Sequence, residues 1–322
     1  MYVMKNTNLD QTLAATITRT ASKQTYYTIR FLADRERMAD AYRTYAYYRW
    51  VDDTLDAEPL SGSAAGKLAA SGRLAFIERQ EALLDNCYRG KAFDDLLPQE
   101  EMLVRLVQSD TEKDSGLQFY LRNMMAVMAF DARRRGRLIS QAELNEYTRW
   151  LAGGVTEAMH YFIGHGCHTP HNEARYMAVT AAHITHMLRD TFDDLQAGYF
   201  NVPREVLDGN HMTALDVHSS AYRDWVKSRV DLARLYFERG REYLRGVENP
   251  RCRLAGFAYT ARFEWLLDTI ARENYCLRSQ YNERKSMAAG LRMSWIALAP
   301  MLQSQDPSPS PHTVPLRGRS VR

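Results

Sequence analysis

Apolar residues recur at intervals of three and four along most of this chain. The pattern is clear in 75-AFIERQEALLDNCY-88, 228-SRVDLARLYFERGREYL-244 and 261-ARFEWLLDTIARENYCL-277, whereas runs that alternate apolar and polar residues are scarce. Because this spacing places the apolar side chains on one face of a helix, it predicts amphipathic helices that must pack against one another. The sequence therefore predicts an all-α fold.

Segments rich in Gly, Pro, Ser, Asn and Asp divide the helical pattern into helices of about 15 to 30 residues. None of them resembles an interdomain linker, so we predict a single helical domain over residues 1–303, of the size of a large bundle. Residues 304–322, SQDPSPSPHTVPLRGRSVR, contain four prolines and few apolar side chains. That composition predicts a disordered tail. The breaks lie at Pro59–Gly66, Gly90–Pro98, Gly136–Ser140, Gly164–Asn172, Gly198–Gly209 and Gly246–Pro250.

Charge and cysteine content indicate which partners and which cellular location to expect. The 42 basic and 39 acidic residues give a net charge of +3, so no nucleic-acid partner is expected. The four cysteines form no CxxC pair, which favours a reducing, cytoplasmic location. No segment resembles a signal peptide or has the roughly 18 consecutive apolar residues needed to cross a bilayer. A peripheral membrane contact stays open, because an apolar substrate could be taken from lipid.

A first group of carboxylates directly follows aromatic and apolar residues in 45-YAYYRWVDDTLDAE-58. On a helix, Asp52 and Asp56 share a face, with Arg49 one turn and Tyr45 about two turns earlier on the same side. Asp53 adds a third carboxylate beside them. This pattern predicts one polar stripe on an otherwise apolar helix.

A second group lies in 183-HITHMLRDTFDDLQAGYFNVP-203, where Asp190 and Asp194 repeat the four-residue spacing behind Arg189 and His186. Burying so many like charges is costly unless cations compensate for them. Carboxylate oxygens suit Mg²⁺, which completes its shell with water and phosphate oxygens. A diphosphate bound through Mg²⁺, with a hydrocarbon chain lying in the bundle, would require both surfaces side by side. The alternative, a solvated helix face, fits one group alone better than the pair.

These segments resemble the squalene/phytoene synthase family. Tyr45-x-x-x-Arg49-x-x-Asp52-Asp53-x-x-Asp56 resembles its first aspartate-rich motif. Arg189-Asp190-x-x-Asp193-Asp194, followed by Gly198 and Pro203, resembles its second, commonly written RDxxEDxxxGRxYLP. Further similarities, from about residue 20 to about residue 285, are 143-ELNEYTRWLAGGV-155 to the family's ELxxYCYxVAGxVG helix, Thr25-Tyr26-Tyr27 to a Ser-Phe-Tyr element, and 262-RFEWLLDTIARENY-275.

The resemblance implies a single-domain isoprenoid-synthase bundle around a central hydrophobic cavity. It implies a Mg²⁺-dependent transferase that joins two prenyl diphosphates head to head, releasing pyrophosphate and giving a triterpene or carotenoid precursor. Carried over by position, the implied metal ligands are Asp52, Asp53, Asp56, Asp190 and Asp194. The implied catalytic residues are Tyr45, Arg49, Tyr147 and Arg189, and the implied substrate-binding residues are Lys23, Thr25, Tyr26, Ala152, Val155, His183 and His186.

The chain also departs from the family pattern. His183 and His186 stand where the family usually has Gln and Asn, and 198-GYFNVP-203 replaces an arginine by Tyr199 and a tyrosine by Asn201. Fewer phosphate ligands would suit an enzyme that uses one prenyl diphosphate, either as a prenyltransferase to a small aromatic acceptor or as a terpene cyclase. A non-catalytic family member is a third alternative. The basic run 133-RRRGR-137 is interpreted as helix capping or a solvated end rather than as a phosphate site.

Overall fold

The computed structural model describes residues 2–57, 63–91 and 95–281. Both the predicted domain end at residue 303 and the predicted tail lie outside these ranges. The described residues form helices and no strand, apart from one isolated bridge between Leu138 and Phe200. The helices are α1 (Tyr2–Ala21), α2 (Lys23–Leu32), α3 (Met38–Asp56), α4 (Ser63–Tyr88), α5 (Pro98–Ser109), α6 (Gly116–Arg134), α7 (Gln141–Phe162), a 3₁₀ turn (Glu173–Tyr176), α8 (Met177–Arg189), α9 (Thr191–Ala197), α10 (Arg204–Gly209), α11 (Ser220–Arg245) and α12 (Pro250–Arg272).

Local side-chain chemistry explains where several helices begin. Ser140 accepts a hydrogen bond from the Glu143 amide, and the Glu143 carboxylate accepts one from the Ser140 amide, so α7 begins with a capping box. Asn249 caps α12 in front of a proline at the first helical position. Ser115 starts α6 after a break that contains no proline. The predicted all-α fold is confirmed, and the break before Ser115 is one that the Gly and Pro pattern did not indicate.

The buried apolar residues form two groups. One is built mainly from α3 to α7, and the other from α8, α11 and α12 with the segments between α9 and α11. Helix α7 packs against both α6 and α8, so it lies between the two halves of the core. No helix in the described part of the chain is both long and apolar enough to cross a bilayer.

Helices α8 and α11 pack closely because α11 has a glycine at the contact. A Cβ atom added at Gly240 would lie 2.6 Å from the Ala178 Cβ and 2.7 Å from the Ala178 amide nitrogen. We expect Gly240→Ala to lower the free energy of unfolding by about 1–3 kcal/mol, since the two helices must separate. Gly72 in α4 has no atom within 4 Å of such a Cβ. Thermal denaturation should therefore show Gly72→Ala to be neutral or stabilising; a comparable loss in both variants would contradict the close-packing explanation.

Candidate active site

The first carboxylate group lies at the C-terminal end of α3. Tyr47, Val51 and Leu55 are buried in the core, so Asp52 and Asp56 project from the adjacent side of the helix. The Arg49 guanidinium lies among these carboxylates. It donates to both oxygens of Asp53, with Nε 3.0 Å from Oδ2, and its Nη1 lies 3.4 Å from the Asp52 Oδ2.

The second group lies at the junction of α8 and α9 rather than on one uninterrupted helix. The Thr191 hydroxyl donates to the carbonyls of Met187 and Leu188, which competes with the helical pattern at this point. The amide of Asp194 still donates to the Asp190 carbonyl at 2.8 Å, so the two aspartates stay one turn apart. Arg189 donates to both carboxylate oxygens of Asp190 at 2.6 Å, and its Nη2 also contacts the His186 ring.

The second group is connected to the last turn of α6, which the sequence had not singled out as part of the site. Arg134 is buried, and it donates from Nε to Asp131 Oδ1 at 2.6 Å and from Nη1 to Asn201 Oδ1 at 2.8 Å. Asn201 in turn donates to Asp194 Oδ2 at 2.6 Å. On the other side, the Tyr147 hydroxyl donates to Asp131 Oδ2 at 2.9 Å. The result is a continuous hydrogen-bonded chain, which we call the central polar network: Tyr147, Asp131, Arg134, Asn201 and Asp194.

The interpretation of the basic run as helix capping or a solvated end is wrong for Arg134. Arg134 is only 6% exposed and belongs to the central polar network. Arg135 donates from Nε to the Ala197 carbonyl at 2.9 Å and from Nη1 to the Leu55 carbonyl at 3.4 Å. It therefore connects the C-terminal ends of α3 and α9, where carbonyl groups favour a nearby cation. Arg133 and Arg137 do form exposed ion pairs, with Glu81 and Glu143.

The segment after α9 also reaches the first group. Gly198 has a positive φ of 85°, and its carbonyl accepts from the Gly136 amide at 2.8 Å. This turn places the Tyr199 hydroxyl 3.4 Å from Asp56 Oδ1 and the Tyr199 ring 4.9 Å from the Arg134 guanidinium. Tyr199 and Asn201 replace the family's arginine and tyrosine. Tyr199 thus contacts the first aspartate motif, and Asn201 contacts the second.

Burial and mutual repulsion make these carboxylates hold protons more tightly than usual. Burial, followed by repulsion from Asp56, raises the pKa of Asp52 to about 6. Burial, followed by repulsion from Asp190, raises the pKa of Asp194 to about 7. Burial also raises the pKa of Asp131 despite its contact with Arg134. Raised carboxyl pKa values of this kind, caused by burial and by neighbouring carboxylates, are typical of functional sites.

Mg²⁺ fits this arrangement of donors. In the described part of the chain no three His, Cys, Asp or Glu side chains stand close enough to enclose a metal ion by themselves. Mg²⁺ does not require such a cage, since it usually takes one or two carboxylates and fills its shell with water and substrate phosphate. Asp52 with Asp56, and Asp190 with Asp194, are the pairs that would hold it. Asp53 and Asp190 are each bound to the arginine of their own motif, but Asp53 is 54% exposed against 26% for Asp190, which leaves Asp53 a supporting role.

The two histidines of the second motif differ in environment. His183 is 5% exposed, its Nε2 has no hydrogen-bond partner among the described residues, and its ring lies 5.2 Å from that of Tyr147. Burial lowers the pKa of His183 to about 3, so the ring is neutral. His186 is exposed, and its Nε2 lies 3.4 Å from Asp190 Oδ2. Only His186 lies on the same side as the carboxylates of its motif.

A cavity of about 310 Å³ begins one turn before Arg49 on α3, where Tyr45 lines it. We call it the central cavity. Thr25 and Val155, two of the predicted substrate-binding residues, line it, and their role in binding stays a prediction. Its walls come from α2, α3, α6, α7, α8, α11 and α12: Gln24, Thr25, Thr28, Ile29, Leu32, Ala33, Ala41, Thr44, Tyr45, Tyr120, Val155, Thr156, Ala158, Met159, Phe162, Ile163, Arg175, Ala178, Val179, Tyr243, Leu244, Ala255, Gly256, Ala258, Tyr259 and Arg262.

The other five predicted substrate-binding residues do not line the central cavity, and two of them are the histidines described above. Lys23 is exposed in the first turn of α2. Tyr26 stacks on Tyr42 at a ring distance of 5.4 Å, on the other side of α2. Ala152 lines a separate groove between α7, α8 and α11. Their roles remain predictions, and only a change in the shape of the site on binding would bring them to a ligand in the central cavity.

Comparison with known proteins gives a decisive match. The sequence profile described as squalene/phytoene synthase matches residues 18–287. The chain belongs to the squalene/phytoene synthase family. As a squalene/phytoene synthase family member, it is also similar in fold to solved structures at low sequence identity. Among curated proteins no match was found.

Three of these structures illustrate the likeness in fold. A structure titled squalene synthase HpnC from Alicyclobacillus acidocaldarius is 20% identical, with a TM-score of 0.63 over 84% of this chain and 97% of that one. A dehydrosqualene synthase in complex with ligand is 17% identical, with a TM-score of 0.64 over 93% and 98%. The complex of TcSQS with the ligand BPH1237 is 13% identical, with a TM-score of 0.64 over 92% and 89%. The predicted isoprenoid-synthase bundle is thereby confirmed for this family member.

Proposed function

We propose that this protein is a Mg²⁺-dependent prenyltransferase that joins two prenyl diphosphates head to head and releases pyrophosphate, giving a triterpene or carotenoid precursor. The observation that supports this most is that Tyr199 and Arg135 connect the first carboxylate group to the segment around the second, while an apolar cavity begins on the helix of the first group. Tyr45 in the cavity wall and Asp52 in the metal-binding group lie on the same helix, seven positions apart. A diphosphate and its hydrocarbon chain would find adjoining surfaces there.

The arginines of both motifs are suited to bind a diphosphate. Arg49 and Arg189 each make paired contacts with a carboxylate of their own motif. Two oxygens of a diphosphate can accept the same paired hydrogen bonds from a guanidinium, so a diphosphate would exchange with these carboxylates. Bound Mg²⁺ would neutralise charge on the departing pyrophosphate and on the aspartates. The allylic C–O bond then breaks with its electron pair leaving on pyrophosphate, while the positive charge stays on the prenyl chain.

The walls of the central cavity would protect that cation until it is attacked by the double bond of the second substrate. Tyr45, Tyr120 and Tyr259 line this cavity together with aliphatic side chains and several polar ones. Aromatic rings stabilise a nearby positive charge, and exclusion of water prevents premature capture. Tyr147 would keep its proton, since burial raises its pKa well above the ordinary value. It can therefore donate a hydrogen bond but does not supply a phenolate.

A second candidate is the transfer of one prenyl group to an acceptor that carries no diphosphate. Tyr199 and Asn201 stand where the family has an arginine and a tyrosine, and both are used within the site on Asp56 and Asp194. The site is thereby poorer in cations than the family pattern. In addition, a cavity of about 310 Å³ is at the small end of ligand pockets, which favours one apolar chain over two.

Product analysis separates these candidates. The purified protein is incubated with Mg²⁺ and geranyl, farnesyl or geranylgeranyl diphosphate, and both pyrophosphate and organic products are measured. We expect a C₃₀ or C₄₀ product from head-to-head condensation. Pyrophosphate release with only monomeric terpenes would contradict condensation and favour the second candidate. No release from any donor, with or without phenolic acceptors, would contradict both and favour a non-catalytic protein.

The raised carboxyl pKa values predict how Mg²⁺ binding depends on pH. Asp52 and Asp194 bind protons up to about pH 6 and pH 7, whereas in an unfolded chain they would release them near pH 4. The stability of the metal-free protein should therefore fall as pH rises from 4 to 7, because the folded state holds more protons. Mg²⁺ should restore stability most at pH 8 and little at pH 5. Thermal denaturation with and without Mg²⁺ measures this; equal stabilisation at both pH values would contradict it.

A further inference from the structure

The outer side of α2 carries two exposed aromatic rings in contact with each other. Phe31 is 70% exposed and Tyr27 is 52% exposed, and their rings stack at a centroid distance of 6.0 Å. The edge of Tyr27 also contacts the ring of Tyr26 at 5.3 Å. Aromatic side chains contribute a large apolar area when they find a partner. Two of them left in water on one short helix therefore indicate an interaction surface.

A surface groove of about 670 Å³ between α1 and α2 lies beside these rings, because Tyr26 is part of its wall. Three arginines line the groove: Arg19 from α1, Arg30 from α2 and Arg35 from the segment after α2. Among the described residues, Glu36 is the acidic member of its wall. The groove therefore combines an excess of positive charge with the neighbouring aromatic pair.

No described carboxylate forms an ion pair with Arg19, Arg30 or Arg35, and Glu36 is no exception. From position 11 to position 33 the sequence contains Arg19, Lys23 and Arg30 but no Asp or Glu. This short stretch thus has a charge of +3, which equals the net charge of the whole chain. The positive charge of the protein is local, although the chain as a whole is nearly balanced.

We propose that this surface, which we call the α2 face, docks on a phospholipid bilayer that contains anionic lipids. Its residues are Arg19, Tyr27, Arg30, Phe31 and Arg35. Aromatic side chains are favoured at the boundary between headgroups and acyl chains, and arginines are attracted to anionic lipid phosphates. A free phosphate would engage the arginines but not the rings, whereas a neutral apolar partner would engage the rings but not the arginines. An anionic bilayer satisfies both.

The opposite side of α2 explains what docking would achieve. Thr25, Thr28 and Ile29 on that side line the central cavity. Docking would therefore place the lipid about one helix diameter, roughly 10 Å, from the cavity. The docking surface itself does not depend on the proposed function. Only this consequence rests on it: an apolar prenyl chain would reach the cavity from the membrane instead of crossing water.

Vesicle sedimentation tests the docking surface directly. The full chain is mixed with sucrose-loaded vesicles of phosphatidylcholine alone, or of phosphatidylcholine with a quarter of phosphatidylglycerol, and the bound fraction is measured after centrifugation. We expect binding to the anionic vesicles to be at least about tenfold tighter, since each arginine near the surface contributes about fivefold. High salt should weaken this preference, because it screens exposed charges.

Two variants separate the aromatic contribution from the charge contribution. Phe31→Ser should weaken binding to anionic vesicles by about tenfold, since an apolar ring no longer leaves water. Arg19→Gln with Arg30→Gln should remove most of the preference for anionic over neutral vesicles. Each variant has a matched control at a distance from the α2 face. Leu215→Ser replaces an apolar side chain that is 69% exposed, and Arg239→Gln with Arg245→Gln removes two exposed charges from α11.

The outcomes that would overturn the proposal are distinct. Equal binding to neutral and anionic vesicles would do so, as would variants that behave like their controls. Sedimentation velocity without vesicles tests the other occupant, a second copy of the chain. Self-association that is lost in Phe31→Ser, together with no vesicle binding, would assign the α2 face to a dimer and overturn docking on lipid.

Pyrophosphate release from detergent-dispersed farnesyl diphosphate separates this inference from the proposed function. We expect Phe31→Ser to keep normal release in detergent while its vesicle binding is weakened. Release by the unchanged protein without any vesicle binding would overturn docking and leave the proposed function intact. Vesicle binding that depends on the α2 face, with no release from any prenyl diphosphate, would support docking and contradict the proposed function alone.

Discussion

Replacing Asp52 by asparagine is expected to lower the rate of pyrophosphate release by about a thousandfold. Asparagine keeps the shape of the side chain but removes the charge that would hold Mg²⁺ at the first motif. Electrostatic stabilisation of a leaving group in a water-poor site is worth two to three orders of magnitude for a single group. Asp52 is a half-buried carboxylate with a raised pKa, so its neutralisation should not unfold the protein.

Two other aspartates provide controls for this experiment. Asp53→Asn should have a smaller effect, of about tenfold, because its carboxylate is bound to Arg49 and supports the site indirectly. Asp231→Asn should have none, since the one ion pair of Asp231 within the described residues is an exposed pair with Lys227. Rates are compared in single-turnover assays at saturating Mg²⁺, with the Tm of each variant as a check on folding. A rate for Asp52→Asn within tenfold of the unchanged protein would remove Asp52 from the metal site.

The sequence predicted the type of fold and the two carboxylate groups because both depend on short-range spacing. Apolar periodicity sets which face of a helix is buried, and a four-residue interval places Asp52 and Asp56 on one face whatever the helix packs against. The same reasoning expected a continuous helix through Asp190 and Asp194. The structure instead has a break at Asp190, whose backbone leaves the helical region with φ −95° and ψ 9°. Asp190 and Asp194 are nevertheless one turn apart, because the Asp194 amide still donates to the Asp190 carbonyl.

The residues of the central polar network could not be predicted from short-range spacing. Asp131 and Arg134 lie far in sequence from Asp194, and their meeting depends on the turn at Gly198 and on how α6 packs against α7. Arginines at the end of a helix are usually explained as capping or solvated residues, so the burial of Arg134 was not predicted. A carboxylate three residues before that arginine, at the end of an apolar helix, was the available signal. Asp131 and Arg134 at this spacing could form either an exposed pair at the helix end or a buried ion pair, so the spacing alone does not decide between them.

The largest effect on stability is expected from Arg134→Met. Arg134 is the buried cation nearest to Asp131 and also contacts Asn201, and its guanidinium lies 5.1 Å from the Tyr147 ring. Removing one member of a buried ion pair leaves the other charge without compensation, which costs about 3–5 kcal/mol. We therefore expect a lower midpoint of urea denaturation for Arg134→Met. Mg²⁺ should recover part of this loss if it binds to the neighbouring aspartates.

The double variant Arg134→Met with Asp131→Asn separates stability from activity. Asparagine at position 131 removes the uncompensated charge and can still accept the hydrogen bond from Tyr147, so most of the lost stability should return. Turnover should stay low, since Asn201 and Asp194 lose the arginine that positions them beside the first motif. If the double variant recovered both stability and turnover, Arg134 would be a structural ion-pair partner alone. If it recovered neither, the loss would lie in packing against Tyr147 and Tyr199, because the charge imbalance would already have been removed.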